Sequence, residues 1–349
     1  MSKKIVHVSS GDKFIFPFIE FLKSELEISE HTFYIYGLKE DAGVCVLSDH
    51  GVNVLDLSNN KLNYISLVKD MYLSNNIILH GLFNNLIVFI LFLHPWLLKK
   101  CSWMLWGGDL YAYNKNKNKV LSGLRPREFI RRQVIKKLGR IVTYIRGDYE
   151  LARDWYGSQA LFHDCLMYPS NLFKDYPFSH NNHEGINILL GNSADPENNH
   201  LELFDRLDKC EIRNFSVVVP LSYGDQENAE MVLEEGRKRY GDKFKPLLKY
   251  LSFDEYIEIL SSIDIAMFGH KRQQGMGNTI TLLGLGKKVF MRNDVSQYNM
   301  LSDLNIEVLD IDRLDLTKLD EKTRDENIRL VKKYFSVDRY KSQLKELFE

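Results

Sequence analysis

The chain has 349 residues, enough for about two domains of ordinary size. Lys plus Arg number 46 and Asp plus Glu 47, with 44% apolar and 27% charged residues, a balance that excludes a disordered chain and a polytopic membrane protein. Cys45, Cys101, Cys165 and Cys210 are scattered, with no Cys-x-x-Cys pair, so reduced cytosolic thiols are expected rather than a disulfide framework or a zinc site.

Met1-Ser2-Lys3-Lys4 runs straight into a strand-like Ile5–Val8, too short for the apolar core of an export signal. Apolar, β-branched runs recur at Thr32–Tyr36, Val52–Leu55, Ile77–His80, Trp103–Trp106 and Ile141–Ile145, spaced by helix-length stretches. That alternation predicts parallel βαβ units. The apolar stretch Leu86–Leu98 is unbroken only as far as Leu93, ahead of His94-Pro95, whereas a membrane span needs about 20 residues. It is expected as a core helix, or as one that also lays a face on a membrane surface.

Residues 112–140 hold ten basic side chains (Lys115, Lys117, Lys119, Arg125, Arg127, Arg131, Arg132, Lys136, Lys137 and Arg140) against the single acid Glu128. Such a segment is either a solvated helix face or a contact for nucleic acid, anionic lipid or a diphosphate. No nucleic-acid partner is expected, since an aromatic-studded basic sheet, a zinc pattern and a helix-turn-helix signature are all missing. Lipid fits better, because Leu86–Leu98 and Lys99-Lys100 lie in the same half of the chain.

Beyond the polar segment 179–185 a second series begins: Ile186–Leu190, Phe215–Val219, Ile263–Phe268 and Val289–Met291. Two doubly wound α/β domains are therefore expected, over 1–178 and 179–332, with the helical tail 333–349 packing back on the first. Ser252-Phe253-Asp254-Glu255 opens one helix as a capping box.

In such sheets ligands bind beyond the carboxyl ends of strands. Gly191-Asn192-Ser193 follows one strand, where a glycine lets the backbone approach a phosphate. Gly269-His270-Lys271-Arg272-Gln273-Gln274-Gly275-Met276-Gly277-Asn278-Thr279 follows another and leads into the apolar run Ile280–Leu285. Two cations, amides and glycines ahead of a helix N-terminus make this the strongest anion-site candidate. Neither G-x-G-x-x-G nor G-x-x-x-x-G-K-[ST] is matched, which disfavours a dehydrogenase or a P-loop ATPase.

In the first half, Trp106-Gly107-Gly108-Asp109-Leu110-Tyr111 leaves Asp109 at a strand end, as a candidate general base or a turn residue. His7, Gly11-Asp12, His80-Gly81 and Arg146-Gly147-Asp148 are expected to line the same cleft. Asp310-Ile311-Asp312 resembles a metal-holding carboxylate pair, but it sits in a loop-like run and no metal is expected.

Taken in order, Trp106–Tyr111, Arg146-Gly147-Asp148, Gly191-Asn192-Ser193, Val217–Pro220 with Tyr223, Phe253-Asp254-x-Tyr256 and Arg272–Gly277 resemble the TDP-Fuc4NAc:lipid II Fuc4NAc transferases of enterobacterial common antigen synthesis, glycosyltransferase family 56. The resemblance implies a GT-B fold, two Rossmann-like domains facing across a cleft. It also implies a cytoplasmic enzyme on the inner face of the bacterial inner membrane. Its donor is a dTDP-sugar, its acceptor an undecaprenyl-diphosphate-linked saccharide, and no cofactor or metal takes part. O-antigen assembly enzymes share the type, and a UDP- or GDP-sugar transferase or a non-enzymatic sugar-binding protein are the alternatives.

On this reading Arg272 and Lys271 stabilise the leaving diphosphate, with Gln273, Gln274 and the N–H groups of Gly275, Met276, Gly277, Asn278 and Thr279. Gly191, Asn192, Ser193 and Tyr223 assist, and the thymine lies against Tyr250 and Leu251. Asp109 orients or deprotonates the acceptor hydroxyl, while His7, Gly11, Asp12, His80, Gly108 and Arg146 bind the acceptor.

Overall fold

The computed structural model describes residues 4–26, 31–38, 52–114, 126–176 and 184–349. The chain forms two compact units, Met1–Asn171 with Val337–Glu349, and Leu172–Ser336. Cys45, Lys115, Lys117, Lys119, Arg125 and residues 179–183, all singled out in the sequence, lie outside the described residues.

The first unit is built on seven parallel strands: β1 (Ile5–Ser10), β2 (His31–Tyr36), β3 (Val52–Asp56), β4 (Asn76–His80), β5 (Cys101–Met104), β6 (Arg140–Val142) and β7 (Leu161–His163). Their order across the sheet is β3-β2-β1-β4-β5-β6-β7. Central strands read as unbroken apolar runs because helices cover both faces; Ile77, Ile78 and Leu79 of β4 are fully buried. The last helix, Val337–Phe348, belongs to this unit. Gln343 Oε1 accepts the Leu166 N–H at 3.0 Å and the Tyr340 hydroxyl donates to the Met167 carbonyl at 2.7 Å.

The second unit holds β8 (Ile186–Leu190), β9 (Phe215–Pro220), β10 (Phe244–Leu247), β11 (Ile265–Phe268), β12 (Lys288–Met291) and β13 (Leu309–Asp310). All are parallel, in the order β10-β9-β8-β11-β12-β13. The helix Phe253–Ser262 starts on the expected capping box, with Ser252 Oγ and Glu255 each accepting the other's backbone N–H. The helix Asn85–Leu93 is capped by Asn84 Oδ1, which accepts from Leu86 and Ile87, and Pro95 bars its continuation.

Both sheets reverse their strand order once, between β1 and β4 in the first and between β8 and β11 in the second. Adjacent loops there leave on opposite faces and open a crevice, which is where such folds bind ligands.

Candidate functional site

At the second unit's switch point, Gly191 leaves β8 at φ +69. A Cβ there would lie 2.7 Å from His200 Nε2 and 2.8 Å from Asn198 Oδ1, so only glycine lets the chain turn this close to the cluster behind it. The Asn192 N–H donates to Asn198 Oδ1 at 2.8 Å, which orients that amide. His270 Nε2 sits 2.9 Å from Asn192 Oδ1 and 2.8 Å from Asn198 Oδ1. It therefore carries the ring proton, and the buried Nδ1 has no hydrogen-bond partner. Burial, then Arg272 and His200, lower the His270 pKa to about 3, so the imidazole is neutral and acts as a rigid strut.

Facing this cluster, the helix Met276–Gly284 begins at Gly275, in the left-handed region and with no side-chain cap. The first N–H groups of that helix have no intrahelical acceptor, and the dipole adds partial positive charge. Thr279 Oγ1 turns back to the Gly275 carbonyl at 3.1 Å, the Gln274 N–H donates to Gln297 Oε1 at 3.0 Å, and Asn278 Nδ2 donates to the Tyr256 hydroxyl at 2.7 Å. Asn192 Nδ2 reaches the Tyr223 hydroxyl at 3.4 Å. Lys271, Tyr223 and Tyr250 are exposed, Leu251 and Gln273 half-buried.

Arg272 departs from a free phosphate-facing cation. Its Nε pairs with Glu197 and its guanidinium lies 3.8 Å from Asp195, so two carboxylates hold it. His270, part of the anion-site stretch, and Tyr256, part of the family motif, join the cluster without having been given a role, and Glu197, Asn198 and His200 complete it without having been singled out. Only folding brings the loop after β8 against the loop after β11.

A family model described as 4-alpha-L-fucosyltransferase glycosyl transferase group 56 matches residues 56–342. The chain belongs to glycosyltransferase family 56. Solved structures agree on the fold: HepE of Anabaena in complex with UDP and glucose is 12% identical, with a TM-score of 0.68 over 99% of this chain and 98% of that one. Sucrose-phosphate synthase of Thermosynechococcus elongatus is 10% identical, with a TM-score of 0.68 over 99% and 98%. The UDP-forming trehalose-phosphate synthase of Burkholderia xenovorans is 8% identical, with a TM-score of 0.67 over 100% and 99%. The architecture is thus that of the GT-B glycosyltransferases.

In this family 56 chain the first unit's switch point is built differently. Asp109 is only 1% exposed. Its Oδ2 accepts the Leu82 N–H and the Trp103 indole N–H, each at 2.8 Å, and its Oδ1 accepts the Trp106 N–H at 2.9 Å. Burial raises its pKa to about 6 against the pull of Arg131 and these donors. The expectation of an accessible general base is corrected: the carboxylate is walled in and ties the loop after β4 to the loop after β5. Arg131 reinforces the tie by donating to the carbonyls of Leu82, at 2.7 Å, and Asp109.

The expectation that His7 and His80 line a cleft is also corrected, because both are buried within the sheet layer. His7 Nε2 lies 2.9 Å from His31 Nδ1, and His7 Nδ1 3.0 Å from His80 Nε2. Gly11 donates its N–H to the Tyr36 carbonyl at 2.7 Å. Asp12 is half-buried; its Oδ1 accepts the N–H groups of Phe14, at 2.8 Å, and Ile15, at 3.3 Å, and its Oδ2 the Ser10 hydroxyl. Arg146 lies exposed over the Phe162 ring, 4.9 Å from its centroid. Gly108 faces the Phe83 ring.

The helix Asn85–Leu93 buries Ile87, Val88 and Leu91 and turns Leu86, Phe89 and Leu93 outward on the opposite face. It packs against the basic helix Pro126–Lys137, and an open pocket of about 310 Å³ is lined by Leu86, Phe89, Ile130 and Arg127 among others. No described helix is long and apolar enough to cross a membrane. Among the described residues no group of three or more His, Cys, Asp or Glu side chains could hold a metal ion. Asp310 caps a single turn and Asp312 pairs with Arg206.

Proposed function

We propose that this glycosyltransferase moves a 4-acetamido-4,6-dideoxyhexose, Fuc4NAc or a close relative, from a dTDP-sugar to a polyprenyl-diphosphate-linked saccharide in bacterial surface polysaccharide synthesis. The observation that carries the donor half is the uncapped N-terminus of Met276–Gly284 set against the Asn192–Asn198–His270 cluster. As the bond from the anomeric carbon to the diphosphate breaks, its electron pair leaves with dTDP. Charge then builds where the helix N–H groups, Lys271 and Arg272 can receive it, with no metal in the step. The acceptor hydroxyl oxygen forms the new bond to the anomeric carbon, and its proton passes to solvent water.

The two carboxylates holding Arg272 give way to the donor diphosphate, which offers the same bidentate partner. Tyr223 and Tyr250 lie on the nucleoside side. Asp12 orients the acceptor, with Asp109 holding the loops around it. A lipid-linked acceptor is supported by the outward row Leu86, Phe89 and Leu93, with Arg127 lining the same pocket and Lys99, Lys136 and Lys137 exposed in the same unit. Such a face suits the anionic inner leaflet of the inner membrane.

Thermal-shift titration with dTDP, UDP, GDP and NAD, with and without magnesium, tests the donor. A ligand at 100 times its dissociation constant stabilises by about 2.7 kcal/mol. A rise with dTDP alone, unaffected by magnesium, is the expected result. A preference for UDP or GDP would replace the donor, and silence toward all four would turn the reading toward a sugar-binding protein.

A further inference from the structure

The two switch points differ in chemistry. The second unit's is glycine, amide and helix end; the first unit's is aromatic. Phe14 follows β1, Phe83 follows β4 and Trp106 follows β5, so all three rings stand at the carboxyl edge around the strand reversal. Phe14 and Trp106 meet edge-on at 4.9 Å and 76°, and Phe83 and Trp106 at 6.0 Å and 86°. Phe83 is 45% exposed.

These rings are held in place from below. Trp106 donates its indole N–H to the Tyr168 hydroxyl at 3.1 Å. Asp109 takes the backbone N–H of Trp106 on one oxygen and that of Leu82, next to Phe83, on the other. Small residues flank the Phe83 ring: a Cβ on Gly81 would lie 2.5 Å from it, and one on Gly108 3.6 Å. The buried carboxylate thus fixes the backbone on which the half-buried Trp106 and the exposed Phe83 are carried.

We infer that Phe83, Trp106 and Phe14 form a saccharide subsite that takes a pyranose ring of the acceptor. A pyranose chair has an apolar face of axial C–H groups that rests on an aromatic face, and a rim of hydroxyls that needs acceptors. Asp12 supplies that acceptor beside Phe14. Perpendicular rings make a cup that suits a puckered sugar, whereas a flat base stacks in a parallel slot. A free phosphate is disfavoured by the Asp12 carboxylate. This assignment rests on the transferase reading and deepens its acceptor half.

The test is a bacterial-glycan array probed with the full-length wild type, Phe83→Ala and Phe83→Tyr, beside the dTDP thermal shift. Truncating a central aromatic contact weakens binding about tenfold or more. The expected pattern is wild-type glycan binding lost in Phe83→Ala, restored in Phe83→Tyr, with the dTDP shift equal in all three. Trp106 fluorescence should respond to the bound glycan and fall silent in Trp106→Phe, which covers the case of a poorly folded Phe83→Ala. Glycan binding undiminished in a folded Phe83→Ala, or no glycan bound by a wild type that binds dTDP, overturns the subsite. Ring-dependent glycan binding without any dTDP response keeps the subsite and discards the donor.

Discussion

His80 Nδ1 lies 2.9 Å from the Tyr168 hydroxyl, the same oxygen that accepts the Trp106 indole N–H. An indole can only donate, so the Tyr168 proton is directed to His80. The remaining tautomers follow in turn: His80 Nε2–H donates to His7 Nδ1, and His7 Nε2–H to His31 Nδ1. A buried chain running from β2 across β1 and β4 thereby fixes the orientation of the half-buried Trp106. All three imidazoles must be neutral to keep that order.

Acid should unravel this arrangement. Burial lowers His80 to about 3, His31 to about 4, and His7 well below its ordinary value. In the second unit His270 falls to about 3 and His200 to about 4 for the same reason. A histidine neutral when folded but titrating near 6.5 when unfolded binds more protons unfolded, so stability is full above that pH and lost as pH falls toward 4. Between pH 7 and 5 each such group removes about 2 kcal/mol. Urea midpoints at pH 7 and 5 measure this, and an unchanged midpoint contradicts neutral burial.

Arg272 is the cation whose loss should hurt transfer most. Arg272→Ala is expected to cost on the order of 100-fold in kcat, and a cost below about threefold would remove it from the leaving-group site. Glu197→Gln should do the opposite to binding. It frees the guanidinium and removes a negative charge beside the diphosphate, so the dTDP dissociation constant falls several-fold. Calorimetric titration of both variants decides the pair.

For Asp109 the structure predicts a stability effect ahead of a chemical one. Asp109→Asn offers one carbonyl oxygen where the carboxylate gives two, which strands a buried N–H and costs about 1–3 kcal/mol. The melting temperature should drop, while the pH dependence of the residual transfer keeps its shape. A lost acidic limb in that profile, the fall in rate as pH drops through the carboxyl's pKa, would restore the general-base role.

The outward face of Asn85–Leu93 makes a separate prediction. Phe89→Ser with Leu93→Ser should reduce sedimentation with phosphatidylglycerol-containing vesicles by about tenfold or more, given about 1.5–3 kcal/mol for each buried side chain. Binding to the wild type should weaken in high salt, because Lys99, Arg127 and Lys136 contribute charge. Equal sedimentation of variant and wild type would place any lipid contact elsewhere.

The strand series and helix punctuation were legible in the sequence because hydrophobic period and capping are local properties. All ten expected strands are present, though the run at Trp103–Trp106 begins earlier, at Cys101. The three strands not anticipated, β7, β10 and β13, have four residues or fewer and all lie at sheet edges. An edge strand needs little apolar sequence of its own. The glycine, amide and cation types of the anion site could likewise be read from two loops, since a phosphate demands them wherever they fall.

Side-chain accessibility could not be read that way. Asp109, His7 and His80 carry the chemistry of a catalytic cleft, yet each is buried with its polar atoms spoken for. Phe14 and Phe83, which no sequence pattern singled out, stand with Trp106 at the carboxyl edge. Which of two chemically similar residues meets solvent depends on the order in which strands pair. That order comes from packing between distant segments, which no local pattern encodes.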